Sequence, residues 1–129
     1  MTRYLLDTHA LIWATVAPAR LSRRAARVVR DETSELLVSA ASASEVATKH
    51  RLGKLPGAEP LLDRWDDALA LLKAQSVPIT HAVALRAASY ASAHRDPFDR
   101  LLAAEAELSG VALITTDGAF ADFPVRVVW

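Results

Sequence analysis

The sequence contains no cysteine, which excludes disulfides, zinc–thiolate sites and cysteine nucleophiles. It has only four glycines, and they form no glycine-rich phosphate-binding loop, so P-loop and Rossmann-type enzymes are disfavoured. No stretch approaches the roughly 18 consecutive apolar residues that a membrane helix requires. The N-terminal segment reaches Asp7 before the apolar core of a signal peptide could form. Together these absences predict a cytoplasmic protein with no membrane partner.

Neither sign of charge dominates the chain, because 15 Lys and Arg residues balance 15 Asp and Glu residues. A nucleic-acid-binding protein usually has a basic excess, so the balance alone argues against one. The balance becomes basic, however, if a bound metal neutralises some of the acids. The hydrophobic fraction of 52% is that of a globular protein, and 129 residues predict a single domain spanning residues 1–129.

Strands and helices are predicted to alternate along the whole chain. Short apolar runs predict strands at 4–6, 35–39, 77–79, 112–115 and 125–128. Helical spacing and capping residues predict helices at 9–15, 22–30, 42–52, 61–74, 81–92 and 99–108. This alternation predicts an α/β fold of three layers, α/β/α, in which helices cover both faces of a small parallel sheet. Ligands bind such folds beyond the carboxyl ends of the strands.

Four acids are predicted at strand ends or helix starts. Asp7 directly follows a predicted strand and Asp117 ends the strand segment 113–116, whereas Glu45 and Asp99 fall in the first turns of predicted helices. If the sheet is parallel, all four can converge on one edge. Only oxygen donors are available there, and such a set suits Mg²⁺ or Mn²⁺ acting on a phosphodiester.

Helix capping is the alternative explanation for each acid taken alone. Residues 42–45 match a capping box with Glu45 at its third helical position, and Asp96 is a fitting N-cap before Pro97, with Asp99 two residues further. Capping works about as well with Ser, Thr or Asn, so it does not require four carboxylates. It also does not explain charges at the ends of buried strands. The set as a whole therefore favours a cation site.

The roles of the arginines and histidines are more ambiguous. Arg23 and Arg27 belong to a stripe at helical spacing that is either a solvated helix face or a surface for RNA or a partner. Arg100, which follows Asp99, is a further candidate for such a contact. Most of the histidines are interpreted as surface or helix-end residues: His50, His81 and His94.

Four segments, in this order, resemble VapC-type PIN-domain toxins: 5–13 (LLDTHALIW), 42–55, 94–106 and 113–117 (LITTD). The Val127-Val128-Trp129 ending also fits. The resemblance spans essentially the whole chain, and the combination of motifs is highly specific. The family often has an aromatic residue where Ser44 stands and Gln where Glu105 stands, and neither departure changes the acids.

The resemblance implies a Mg²⁺- or Mn²⁺-dependent endoribonuclease, the toxin of a type II toxin–antitoxin pair. It implies an RNA substrate, inhibition by a VapB-like antitoxin and a homodimer within the toxin–antitoxin complex. Metal and catalytic roles are carried over to Asp7, Glu45, Asp99 and Asp117. Supporting roles fall to Asp96, Thr116 and Thr8, of which the threonines are expected to orient a neighbouring carboxylate.

Three other classes of protein are weighed against this interpretation. A catalytically silent PIN scaffold acting as a binding module would keep the fold without the activity. A receiver-type signalling domain needs an aspartate after a central strand, but the strand at 35–39 runs into Ala40 and Ala41. A haloacid-dehalogenase-type phosphatase needs an aspartate where His9 stands.

Overall fold

The computed structural model describes residues 1–129 and confirms the predicted alternation of strands and helices. The strands are β1 (Thr2–Leu6), β2 (Ser34–Ser39), β3 (Ala74–Val77), β4 (Ala112–Ile114) and β5 (Val127–Val128). The α-helices are α1 (Thr8–Val16), α2 (Arg23–Arg30), α3 (Ala40–Arg51), α4 (Glu59–Asp63), α5 (Trp65–Leu72), α6 (His81–Ser89) and α7 (Pro97–Ser109). Short 3₁₀ helices span Pro18–Arg20 and Gly118–Asp122. None of the helices combines the length and the apolar character needed to cross a membrane.

All five strands are parallel and lie in the order β3-β2-β1-β4-β5. In the centre of the sheet Leu5 of β1 is in register with Leu37 of β2 and Leu113 of β4. The chain winds outward from β1 to β3 and then returns to place β4 on the other side of β1. The carboxyl ends of β1 and β4 therefore form the topological switch point, where open α/β sheets bind ligands.

The strands bury side chains on both faces of the sheet, because successive residues of a strand point in opposite directions. Leu5, Leu37 and Leu113 join one buried cluster with residues of α6 and α7. Leu6 and Ile114 join the other cluster, with residues of α1, α2, α4 and α5. This arrangement confirms the three-layer α/β/α fold and explains why the strands read as short apolar runs.

Most predicted boundaries differ from the structure by one to three residues; α6, for example, ends at Ser89 rather than at Ser92, and β5 begins at Val127 rather than at Val125. The helix predicted at 61–74 is divided into α4 and α5 at Arg64, whose backbone leaves the helical region (φ −133°, ψ 45°). Lys73, in the left-handed region at φ 54°, ends α5, so β3 begins at Ala74, three residues before the predicted strand. The capping box at 42–45 is wrong: α3 begins at Ala40 because Ser39 Oγ accepts the Ala41 N–H at 3.0 Å.

Candidate metal site

Asp7 is the first residue after β1 and is only 4% exposed. Its carboxylate oxygens accept two separate hydrogen bonds, from the Thr8 N–H to Oδ1 and from the Thr115 hydroxyl to Oδ2, each at 2.7 Å. Asp7 is thus the N-cap of α1, and it is also held in a fixed orientation at the switch point of the sheet.

The hydroxyl that orients Asp7 belongs to Thr115 rather than to Thr116, for which the sequence predicted such a role. Thr115 is buried at the end of β4, whereas Thr116 is exposed, because adjacent residues of an extended chain point to opposite sides. Thr115 Oγ1 also accepts the Asp117 N–H at 3.0 Å. The Thr8 hydroxyl donates to Ser42 Oγ at 3.0 Å, so only the Thr8 backbone N–H contacts a carboxylate.

A group of three carboxylates lies where α3 and α7 meet this edge of the sheet. Glu45, Asp96 and Asp99 each offer one oxygen, and these oxygens all lie within 4.8 Å of one another. Glu45 and Asp99 are buried, at 2% and 8% exposure. The two oxygens of the Asp96 carboxylate have different partners. Oδ1 accepts the N–H groups of Phe98 and Asp99, which makes Asp96 the N-cap of α7, and Oδ2 lies 4.0 Å from the Lys49 ammonium.

Asp117 lies at the margin of this group. Its side chain is exposed, and Oδ1 accepts the Ala119 N–H at 2.9 Å at the start of the second 3₁₀ helix. Its charge nevertheless contributes to a raised pKa for both His94 and Asp99, which places it near them. Of the four acids that the sequence singled out, only Glu45 and Asp99 belong to the tight group, and Asp96 is its third member.

Burial and the charge of neighbouring acids raise the pKa of two of these carboxyl groups, Asp7 and Asp99. Burial raises the pKa of Asp7 to about 6, against the hydrogen bond from Thr115, and the charge of Asp99 adds to the rise. Burial also raises the pKa of Asp99, against the hydrogen bond with His94, and the charges of Asp96, Glu45 and Asp117 add to it. A cation bound among these carboxylates would relieve both effects.

Two basic side chains that the sequence analysis did not assign to the site contact the acids. His94 Nε2 lies 2.7 Å from Asp99 Oδ2, and this hydrogen bond raises the pKa of His94. The interpretation of His94 as a surface residue missed this contact because His94 lies in an irregular loop. Lys49 forms an ion pair with Glu45 Oε2. The spacing of four residues between Glu45 and Lys49 on one helix is the signal that could have revealed the pair.

Arg100 has an internal structural role instead of the predicted RNA or partner contact. Its five N–H donors reach five backbone carbonyls at 2.7–3.4 Å: Ala87, Ala88, Tyr90, Ser92 and His94. The guanidinium therefore fixes the end of α6 and the following loop, which positions His94 beside Asp99. With all donors occupied, Arg100 has none left for a phosphate.

Arg23 and Arg27 remain exposed on α2, but the structure does not bring them to the acids. They line a groove with Arg30 and Asp31, and none of the clustered carboxylates lines it. Asp31 ends α2 just before β2 begins, so this part of the stripe lies near the amino ends of the strands, opposite the acids.

The donor set fits a hard divalent cation. It consists of carboxylate oxygens alone, and the chain has no thiolate. Glu45 Oε1 is buried with no hydrogen-bond partner, so it is an unsatisfied acceptor that a cation could satisfy. The three carboxylate oxygens lie within 4.8 Å of one another, so a single cation could be held by Glu45, Asp96 and Asp99 together.

Comparison with known proteins assigns the chain to a family. A family model described as the PIN domain matches residues 4–125. The chain is also 36% identical over 118 residues to the protein named Ribonuclease VapC22 from Mycobacterium tuberculosis, covering 91% of this chain and 88% of that protein. The chain belongs to the PIN-domain family. Within it the chain is of the VapC type, so the receiver-type and phosphatase alternatives are excluded.

Solved structures share the fold of this PIN domain over nearly its full length. VapBC2 from Rickettsia felis, bound to a DNA fragment from its promoter, matches with a TM-score of 0.69 at 14% identity and covers 98% of both chains. A toxin–antitoxin complex from Klebsiella pneumoniae matches with a TM-score of 0.65 at 21% identity, covering 98% of this chain and 96% of that one. At these identities the similarity establishes the fold.

Proposed function

We propose that this chain is a single-domain, Mg²⁺- or Mn²⁺-dependent endoribonuclease and the toxin of a type II toxin–antitoxin module. The observation that supports this most directly is the buried carboxylate group of Glu45, Asp96 and Asp99 beside Asp7, at the switch point of the sheet. A cation held there is open to a phosphate, because Asp96 and Asp117 are only partly buried or exposed. The name of the VapC22 relative supports ribonuclease activity for this chain.

Each of the proposed site residues has a distinct task. Glu45, Asp99 and Asp7 would bind the cation from the buried side, and Asp96 and Asp117 would contribute from the more exposed side. Such a cation, when bound, supplies stabilisation for charge on the phosphate oxygens and lowers the pKa of water. Thr115 fixes the orientation of Asp7 through its hydroxyl, and His94 does the same for Asp99 Oδ2. These bonds hold the carboxylates in place before substrate arrives.

The proposed partner is a VapB-like antitoxin that blocks this site, with the toxin as a homodimer in the cytoplasmic complex. Solved structures similar to this chain include a toxin–antitoxin complex and VapBC2, which supports a partner of that class. Expression of the chain alone should arrest growth, and co-expression of the adjacent small gene should relieve the arrest. Arrest that persists with every neighbouring gene would contradict an antitoxin encoded beside it.

The activity is tested with purified protein and a pool of structured RNAs in Mn²⁺, in Mg²⁺ and in EDTA. We expect cleavage only with the divalent cation. Glu45→Gln should abolish it, because the amide removes the charge at a buried ligand position. Glu35→Gln is the matched control, since Glu35 pairs with Arg3 near the amino end of β2. Cleavage that survives EDTA, or a Glu45→Gln protein as active as Glu35→Gln, would contradict the proposal. Growth arrest without any RNA cleavage would favour the silent scaffold.

A further inference from the structure

Lys49, on the same helix as Glu45, contacts two of the three clustered carboxylates. Lys49 follows Glu45 by one turn of α3, and its Nζ forms an ion pair with Glu45 Oε2 and lies 4.0 Å from Asp96 Oδ2. The two partners differ in access to solvent: the Glu45 side chain is 3% exposed, whereas that of Lys49 is 27% exposed. The ammonium thus reaches a buried carboxylate from the open side of the site.

The ion pair and a metal ion have conflicting requirements. The ammonium uses one oxygen of Glu45, while Oε1 has no partner, so the pair leaves this buried carboxylate only half satisfied. A divalent cation bound by Glu45, Asp96 and Asp99 would lie within a few ångströms of Nζ, where the two positive charges repel. The metal and the Lys49 ammonium therefore compete for the same carboxylates, Glu45 and Asp96.

The released ammonium needs a new anion. The Lys49 stem has four rotatable methylene groups and is partly exposed, so its head group can turn outward without moving α3. The anion that reaches the site in the proposed reaction is the RNA phosphodiester, and an ammonium binds phosphate as a mobile point charge. The guanidinium of Arg100 cannot take this role, because backbone carbonyls already occupy its donors.

We propose that Lys49 is an exchangeable counter-ion: it neutralises Glu45 and Asp96 in the metal-free protein, yields them to the divalent cation, and then binds the RNA phosphate. The inference rests on the proposed function. It predicts opposite effects of removing the ammonium, namely tighter metal binding and weaker RNA binding. A lysine that merely supports α3 or Glu45 would weaken both when removed.

The test compares Lys49→Met with Lys73→Met, which removes the same charge at the end of α5, where Lys73 pairs with exposed Glu32. Calorimetry with Mn²⁺ measures metal affinity. Fluorescence anisotropy with a short, labelled, single-stranded RNA in Ca²⁺ measures RNA affinity at several salt concentrations. For Lys49→Met we expect Mn²⁺ affinity to rise on the order of tenfold. The slope of log affinity against log salt should fall by about 0.7, the loss of one phosphate contact.

Two further variants keep the test decisive. Lys49→Gln retains a polar end that can donate to Glu45, and it replaces Lys49→Met if the latter does not fold. Lys49→Arg keeps the charge and should retain the wild-type salt slope. Mn²⁺ affinity that is unchanged or lower in the charge-removing variants, or a salt slope equal to that of Lys73→Met, would overturn the role of Lys49. A wild-type protein that neither binds Mn²⁺ nor cleaves RNA would overturn the proposed function itself.

Discussion

Replacing Asp7 with asparagine tests two effects of this carboxylate separately: its effect on the stability of the fold, and its role in metal binding and RNA cleavage. Asp7 is almost fully buried, and burial raises its pKa from 3.8 to about 6. An acid whose pKa is higher in the folded than in the unfolded state destabilises the fold when it is ionised. The penalty is fully present above about pH 6 and is removed as the pH falls from about 6 to 3.8. Asparagine resembles the neutral form, so at neutral pH it should stabilise the metal-free protein.

The size of the gain follows from the shift in proton affinity. A rise in the pKa of Asp7 from 3.8 to about 6 corresponds to about 3 kcal/mol of folding free energy, since each pKa unit is worth about 1.4 kcal/mol. Asparagine accepts the Thr8 N–H as before, but its amide nitrogen cannot accept the Thr115 hydroxyl, which costs about 1 kcal/mol. The net gain is then about 2 kcal/mol. For a domain of this length that corresponds to a melting temperature roughly 6–10 °C higher.

The assay is thermal melting of wild type and Asp7→Asn without antitoxin, in EDTA at pH 8 and pH 5, and in Mn²⁺ at pH 8. In EDTA the variant should melt higher at pH 8, and the difference should shrink at pH 5 because wild-type Asp7 becomes protonated. Mn²⁺ at about ten times its dissociation constant should stabilise wild type by about 1.4 kcal/mol and the variant by much less. RNA cleavage by the variant should be lost.

Asp31→Asn is the control with the opposite sign. Asp31 is exposed at the end of α2, and hydrogen bonds from Thr33 lower its pKa, so its loss should not raise the melting temperature. An Asp7→Asn protein that melts below wild type in EDTA at pH 8 and responds equally to Mn²⁺ would refute the reasoning. Asp7 would then be a helix cap whose charge favours folding.

Three smaller predictions follow from other buried polar contacts. Glu105→Gln should raise the melting temperature at neutral pH without changing the Mn²⁺ response, because burial raises the pKa of Glu105 and its Oε1 has no partner; melting in EDTA and Mn²⁺ checks both. Arg100→Lys should cost about 2 kcal/mol in denaturant unfolding, because an ammonium cannot reach five carbonyls. Thr115→Val should raise the pKa of Asp7 further, measured by carboxyl NMR titration, and cost about 1.5–3 kcal/mol at pH 8.

The sequence predicts the fold well because strands and capped helices depend mainly on interactions between residues close together in the chain. Alternating apolar strands and capped helices are legible in windows of a few residues, and Asp7 falls directly after β1 as expected, whereas Asp117 follows the end of β4 by three residues. The start of α3 is the exception: Ser39 and Ser42 are both suitable caps, and two alanines between them let the helix begin at the earlier one. Glu45 therefore lies in the second turn of α3, not in the first.

The arrangement of the site was less legible because it depends on strand order and on loop conformation. Placing β4 beside β1 brings Thr115 to Asp7 across 108 residues of chain, and no periodicity encodes that pairing. The choice between Thr115 and Thr116 depends on which side of an extended strand each occupies, which a shift of one residue reverses. His94 contacts Asp99 from an irregular loop whose carbonyls are bound by Arg100, an arrangement that no periodicity encodes.

Buried acids at this edge connect stability to the proposed activity. Asp7 and Asp99 both have a raised pKa, so the metal-free protein carries a folding penalty at neutral pH that a bound cation would relieve. Lys49 forms an ion pair with one oxygen of buried Glu45 but leaves the other oxygen without a partner. If every carboxylate oxygen of the site had a partner within the protein, the metal-free fold would be more stable and its affinity for a metal would be lower. The incomplete pairing is what keeps the carboxylates available, because their remaining repulsion favours a divalent cation over the single charge of an ammonium.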